Sequence, residues 1–136
     1  MSRRSRRRST TPSSISGCAT RAARCTLNSP IAYQVACHQR VQNIGLKTRD
    51  VLQLVPGTAV TAQERCSGHD GTYAIKQETR DKSIKIARPV VRKVDQQEPD
   101  HFMSDCPMAA THIANLSDKV DRAEHPMTLL RMAYGL

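Results

Sequence analysis

Apolar residues in this chain fall into short unbroken runs that alternate with longer stretches of helical spacing. Residues 31–36, Ile-Ala-Tyr-Gln-Val-Ala, read as a short buried strand that ends at Cys37 and His38. From Val41 to Val55 the apolar positions Val41, Ile44, Val51, Leu52 and Val55 come near the helical period, and Pro56-Gly57 stops the run. Thr58 to Glu64 reads as a second short strand, followed by the turn Cys66-Ser67-Gly68-His69-Asp70-Gly71. The spacing then predicts a long helix from Tyr73 to Gln97, with Ile84, Ile86, Val90, Val91 and Val94 on its apolar face. Pro89 should kink this helix or begin a new one. His101 to Asp105 is a third strand ending at Cys106, and Pro107 suits the first turn of a helix over Met108–Leu116. A polar loop with room for a short edge strand spans Ser117–Glu124, and a last helix covers Met127–Tyr134.

The order strand-helix-strand-helix-strand-helix (βαβαβα) favours an α/β fold: a small parallel sheet flanked by helices. In such sheets ligands sit beyond the carboxyl ends of the strands. Cys37, Cys66 and Cys106 each fall at or just past a predicted strand end. That shared placement directs attention to the three thiols as one site.

Charge divides the chain in two. Seven of the 21 basic side chains are arginines within residues 1–27, a stretch with no acidic residue. Residues 28–136 hold the other 14 against 12 acidic side chains, so the body is nearly neutral. We expect a disordered Arg/Ser-rich tail over 1–28 and one domain over 29–136. Confinement of the charge to the tail, with no aromatic interleaving, makes nucleic-acid binding the least favoured reading. No apolar run reaches the roughly 20 residues of a spanning helix, and no apolar stretch follows the basic start as in a secretory signal. The expectation is a soluble, cytoplasmic protein. With one Phe and no Trp, its core must be aliphatic.

Of five cysteines, Cys18 and Cys25 lie in the tail, and nothing resembles a secreted disulfide framework. Thiolates bind zinc or iron, and a four-coordinate centre wants four N or S donors. Cys37, Cys66 and Cys106 would supply three. His69 is the best fourth, because Cys66-x-x-His69 is a chelating spacing on a tight turn; His38 and His112 are weaker candidates. Paired C-x-x-C knuckles are absent, and the thiols read equally well as small buried hydrophobes. Cys66, His69 and Asp70 have the residue types of a thiol nucleophile with its base, but catalytic partners rarely share one turn. Gly68-x-x-Gly71 is better explained by turn chemistry than by phosphate binding.

The run from Ala-Cys-His-Gln-Arg-Val-Gln-Asn-Ile-Gly, through Glu-Arg-Cys-Ser-Gly-His-Asp-Gly-Thr-Tyr and Ser-Asp-Cys-Pro-Met-Ala, to His-Pro-Met-Thr-Leu-Leu resembles one known family. It is the cysteine-rich domain found in heterodisulfide reductases and in the C-subunit of anaerobic glycerol-3-phosphate dehydrogenases, and the resemblance covers residues 31–136. The family pattern is a Cys, a Cys-Cys-Gly and a Cys-x-x-Cys. Here the second is Cys66-Ser67-Gly68 and the third Cys106-Pro107-Met108-Ala109, so only Cys37, Cys66 and Cys106 carry over.

The resemblance implies part of an iron–sulfur oxidoreductase subunit without a catalytic flavin of its own. It would carry electrons between a ferredoxin-type donor and other oxidoreductase subunits, with peripheral membrane association through those partners. Its cofactor would be a 4Fe-4S-type iron–sulfur cluster or zinc. A structural zinc module without redox activity is the alternative.

Larger family members carry a preceding ferredoxin-like segment, so the chain reads as a piece of a longer protein. One coding string for Ser9–Gly17, with a single base added in front, reads Phe-Tyr-Asp-Pro-Phe-Glu-Tyr-Leu-Trp in the neighbouring frame. That resembles the family's segment before this domain, so residues up to about Leu27 are expected to be a frame-shifted translation.

Overall fold

The computed structural model describes residues 27–136. The tail, with Cys18 and Cys25 and the frame-shift reading, lies outside the described residues apart from Leu27 and Asn28. Four strands form one all-parallel sheet: β1 (Pro30–Gln34), β2 (Ala59–Gln63), β3 (His101–Ser104) and the two-residue β4 (Ala123–Glu124), in the order β2-β1-β3-β4. Five helices connect and cover them: α1 (Cys37–Val41), α2 (Lys47–Leu52), α3 (Gln77–Gln96), α4 (Pro107–Ala114) and α5 (Pro126–Ala133). The expected α/β architecture is present, with the edge strand realised as β4.

The pleat sorts the core into two layers. In β1, Ile31 and Tyr33 point to one face and Ala32 to the other; in β3, Phe102 and Met103 divide the same way. Ala32 and Phe102 pack with Ala87, Val90, Val91 and Val94 of α3 and with Ala110 and Ile113 of α4. Ile31, Tyr33 and Met103 pack with Leu27, Val35, Leu52 and Val55, and with Leu129 and Ala133 of α5. Central strands covered on both faces have no solvent side, which explains the unbroken apolar run in β1. Gln34 is the polar exception. Its amide donates to Val35 O (2.8 Å) and Arg65 O (3.1 Å), and its carbonyl accepts from Ser104 Oγ (2.8 Å), so its buried polar atoms are paired.

Several boundaries differ from the sequence reading. The helix expected over 41–55 is two short helices, because Asn43 (φ 53°) and Gly45 (φ 80°) turn the backbone left-handed between them. Val41, Ile44 and Val51 are consequently exposed, and only Leu52 and Val55 reach the core. The long helix begins at Gln77 instead of Tyr73, after a run of turns. Pro89 does not divide it: the ring sits on the exposed side, where water can satisfy the carbonyl that loses its partner. Ile86 is exposed, and Ser83 and Ala87 take places on the buried stripe. No described helix is long and apolar enough to cross a membrane.

Candidate functional site

Parallel pairing puts the carboxyl ends of β2, β1 and β3 side by side. Gln34 is in register with Gln63 on one side and Ser104 on the other. Cys37 and Cys66 each follow their registered glutamine by three residues, and Cys106 follows Ser104 by two. All three cysteines therefore sit on one rim of the sheet. Equal offsets make the first two neighbours, and Cys66 is near enough to act on the Cys37 thiol.

One backbone amide is directed at this pair: the Gly68 N–H donates to Cys66 Sγ at 3.4 Å. Gly68 (φ +73°) makes this turn possible. A Cβ there would stand 2.3 Å from Ser83 O, so the turn lies directly on the α3 backbone. Burial pushes the Cys37 thiol above its ordinary value and the neighbouring Cys66 pushes it further, while Arg40 and the Ser67 amide pull it back. Cys37 and Cys66 are exposed and Cys106 is half-buried. The first two are therefore not the buried hydrophobes that the sequence equally allowed.

Cys106 is the residue before α4, and its N–H donates to Ser104 Oγ at 3.3 Å. Beside it stands a network that sequence reasoning missed. Asp105 accepts hydrogen bonds from the Tyr33 phenol, from Gln39 Nε2 (2.8 Å) and from Thr48 Oγ1 (2.8 Å). These partners belong to β1, α1 and α2, so one carboxylate ties the rim together. Burial, then the hydrogen bond and charge of Asp105, push the Tyr33 phenol far above its ordinary value. Tyr33 is therefore a neutral donor. The available signal was a tyrosine inside a buried strand, whose hydroxyl needs a partner.

His69 lies in a different neighbourhood. It lines a cleft with Arg80 and His112, and no cysteine lines that cleft. The His69 and His112 rings lie 6.4 Å apart. Among the described residues no group of three or more His, Cys, Asp or Glu side chains is placed to hold a metal ion. The soft sulfur donors suit zinc or iron in kind, but two neighbouring thiols do not make the four-donor shell of a zinc or cubane centre. The arrangement does not fit such a centre as it stands.

Over 104 residues, 76% of its length, the chain is 32% identical to the C-subunit of anaerobic glycerol-3-phosphate dehydrogenase from Escherichia coli K12. The similarity is to a dehydrogenase subunit. The same protein from Escherichia coli O157:H7 matches equally, and the matched stretch is 26% of either relative. The chain thus spans about a quarter of the length of the curated relatives it matches. No family model matches the chain. No solved structure matches it.

Proposed function

We propose that this chain is the cysteine-rich module of an oxidoreductase subunit, acting in electron transfer at the carboxyl rim of its sheet. The observation that carries the reading is the placement of Cys37 and Cys66, two exposed thiols three residues beyond the registered pair Gln34 and Gln63, with the Gly68 amide donating to Cys66 Sγ. The similarity to a dehydrogenase subunit supports the same class. In this reading the module works in the cytoplasm beside other oxidoreductase subunits or a ferredoxin-type donor, which supply the electrons and the substrate chemistry.

The finer part of the proposal concerns what the sulfur atoms hold. Cys37, Cys66 and Cys106 are the donors this chain offers to an iron–sulfur cluster or zinc, and amides directed at sulfur would tune the charge of either. His69, the fourth donor expected from spacing, lines the cleft with His112. A complete shell would therefore need the turn at Cys66 to rearrange or a donor from another subunit.

Anaerobic purification of the full chain, followed by metal analysis and visible spectroscopy, tests this. Broad visible absorbance with stoichiometric iron, lost in Cys66→Ala, supports the cluster. Colourless protein with stoichiometric zinc supports the structural module. Metal-free protein in which Cys66→Ala changes nothing removes the metal reading and leaves the thiol pair.

A further inference from the structure

The turn that carries Cys66 continues into a cleft of about 300 Å³ between α3 and α4. Three of its lining side chains, His69, Arg80 and His112, are cationic or can become so, and no acidic side chain lines it. Arg80 takes part in no ion pair among the described residues. Facing groups of like charge with no counter-charge repel one another, and a protein bears that cost most readily where an anion is to be bound. Burial, then His69, then Arg80 make His112 harder to protonate than an ordinary imidazole, which agrees with an uncompensated positive field.

The donors are oriented as well as charged. Ser83 is fully buried, and its hydroxyl donates to Gly68 O at 2.7 Å. That commits its only proton, so the 3.0 Å contact with His112 is a bond donated by Nε2–H to Ser83 Oγ. The ring is thereby fixed with Nδ1 toward a ligand, and Nδ1 donates only when the ring is protonated. Asn115, which caps the end of α4, adds a neutral side-chain amide to the same wall, whereas the Thr111 hydroxyl is committed to Pro107 O at 2.8 Å. Ala74, Ile75, Ile84, Met108 and Leu116 make the rest of the lining apolar.

We propose that this cleft binds a phosphate-type oxyanion, held by Arg80 and His69 with the Asn115 amide as a neutral partner, and by His112 once the anion's charge favours its protonated ring. A doubly charged tetrahedral anion offers acceptors in several directions, which suits a guanidinium flanked by two imidazoles better than a flat, singly charged carboxylate does. The site needs His69 in the cleft, so it is compatible with a metal at the thiol rim only where the fourth donor comes from elsewhere.

The full chain, in a buffer free of phosphate, is titrated by calorimetry with inorganic phosphate, with propyl phosphate and with acetate at matched ionic strength. The expected result is saturable binding of the phosphates and none of acetate. Arg80→Gln should weaken phosphate binding at least about tenfold, the loss of one charge-assisted bond. Lys119→Gln, whose side chain does not line the cleft and is bonded to Glu98, should leave it unchanged. Tighter binding of propyl phosphate identifies an organic phosphate as the occupant, and equal binding identifies the free ion; both uphold the site. Because Arg80 is exposed, its variant should fold, which a melting curve checks. Absence of saturable phosphate binding, or binding that Arg80→Gln leaves intact, overturns the proposal.

Discussion

The phenol of Tyr33, in the centre of the sheet, donates its proton to the carboxylate of Asp105, the residue before Cys106. The bond joins residues 72 positions apart and couples the end of β3 to the buried layer beneath it. Gln39 and Thr48 donate to the same carboxylate, so the position of the Cys106 end of the rim is set by β1, α1 and α2 together.

Removing either partner should therefore cost stability unequally. Tyr33→Phe deletes one donor from a carboxylate that keeps two others, and should destabilise by about 1–2 kcal/mol. Asp105→Ala leaves the buried phenol without its strongest acceptor and frees Gln39 and Thr48, and should cost about 2–3 kcal/mol. Urea unfolding monitored by circular dichroism measures both. Equal losses would mean that the carboxylate does not organise the network.

Gly68 offers a sharper contrast with Gly71. Both have positive φ, but a Cβ at Gly68 meets Ser83 O at 2.3 Å, and a Cβ at Gly71 meets nothing within 4 Å. Gly71→Ala should cost about 1 kcal/mol for the backbone conformation alone. Gly68→Ala adds a clash with helix backbone and should cost about 2–4 kcal/mol. It should also disturb the amide that donates to Cys66 Sγ. Denaturation midpoints of the two variants decide this, and similar values would show that the turn is not pressed against α3.

How much of this was legible in the sequence follows from which forces are local. The unbroken run at residues 31–36 and the proline before α4 are local signals, and the strands and the parallel order came from them. The break at Asn43 and Gly45 was missed because Val41, Ile44 and Val51 keep helical spacing without being buried; periodicity reports what is apolar, not what is covered. At the rim, the strand-end placement of the three cysteines was readable, since it needs only strand ends. That Cys37 and Cys66 are neighbours depends on register between β1 and β2, and the turning of His69 toward His112 depends on how Gly68 packs on Ser83. Neither register nor packing is written in spacing. The Tyr33–Asp105 bond is equally non-local, although a tyrosine in a buried strand announces that a partner exists.

Cys37 should become more reactive when Cys66 is removed. Burial, the largest influence, remains in Cys66→Ala, but the charge and hydrogen bond of the second thiol disappear, while Arg40 and the Ser67 amide still favour the thiolate. The thiolate fraction at a given pH near 8 therefore rises, and alkylation by iodoacetamide should quicken severalfold. Peptide mapping of Cys37 at short reaction times reads the rate. An unchanged rate would place the two thiols out of electrostatic contact.

Acid should weaken the fold through His112. Its folded-state value lies below the ordinary 6.5, because burial, His69 and Arg80 all oppose the imidazolium. Between the folded and unfolded values the unfolded chain binds more protons, so stability rises with pH in that window. On acidification from pH 8 the loss begins near the ordinary imidazole value and continues until the folded value is passed, below which it levels off. His112→Gln removes this contribution while retaining a side chain able to donate to Ser83. Its melting temperature should fall less than that of the natural chain between pH 7 and pH 5, even if it starts lower. Melting curves in buffers without phosphate give the comparison, and parallel curves for the two proteins would show that His112 does not titrate against the field of His69 and Arg80.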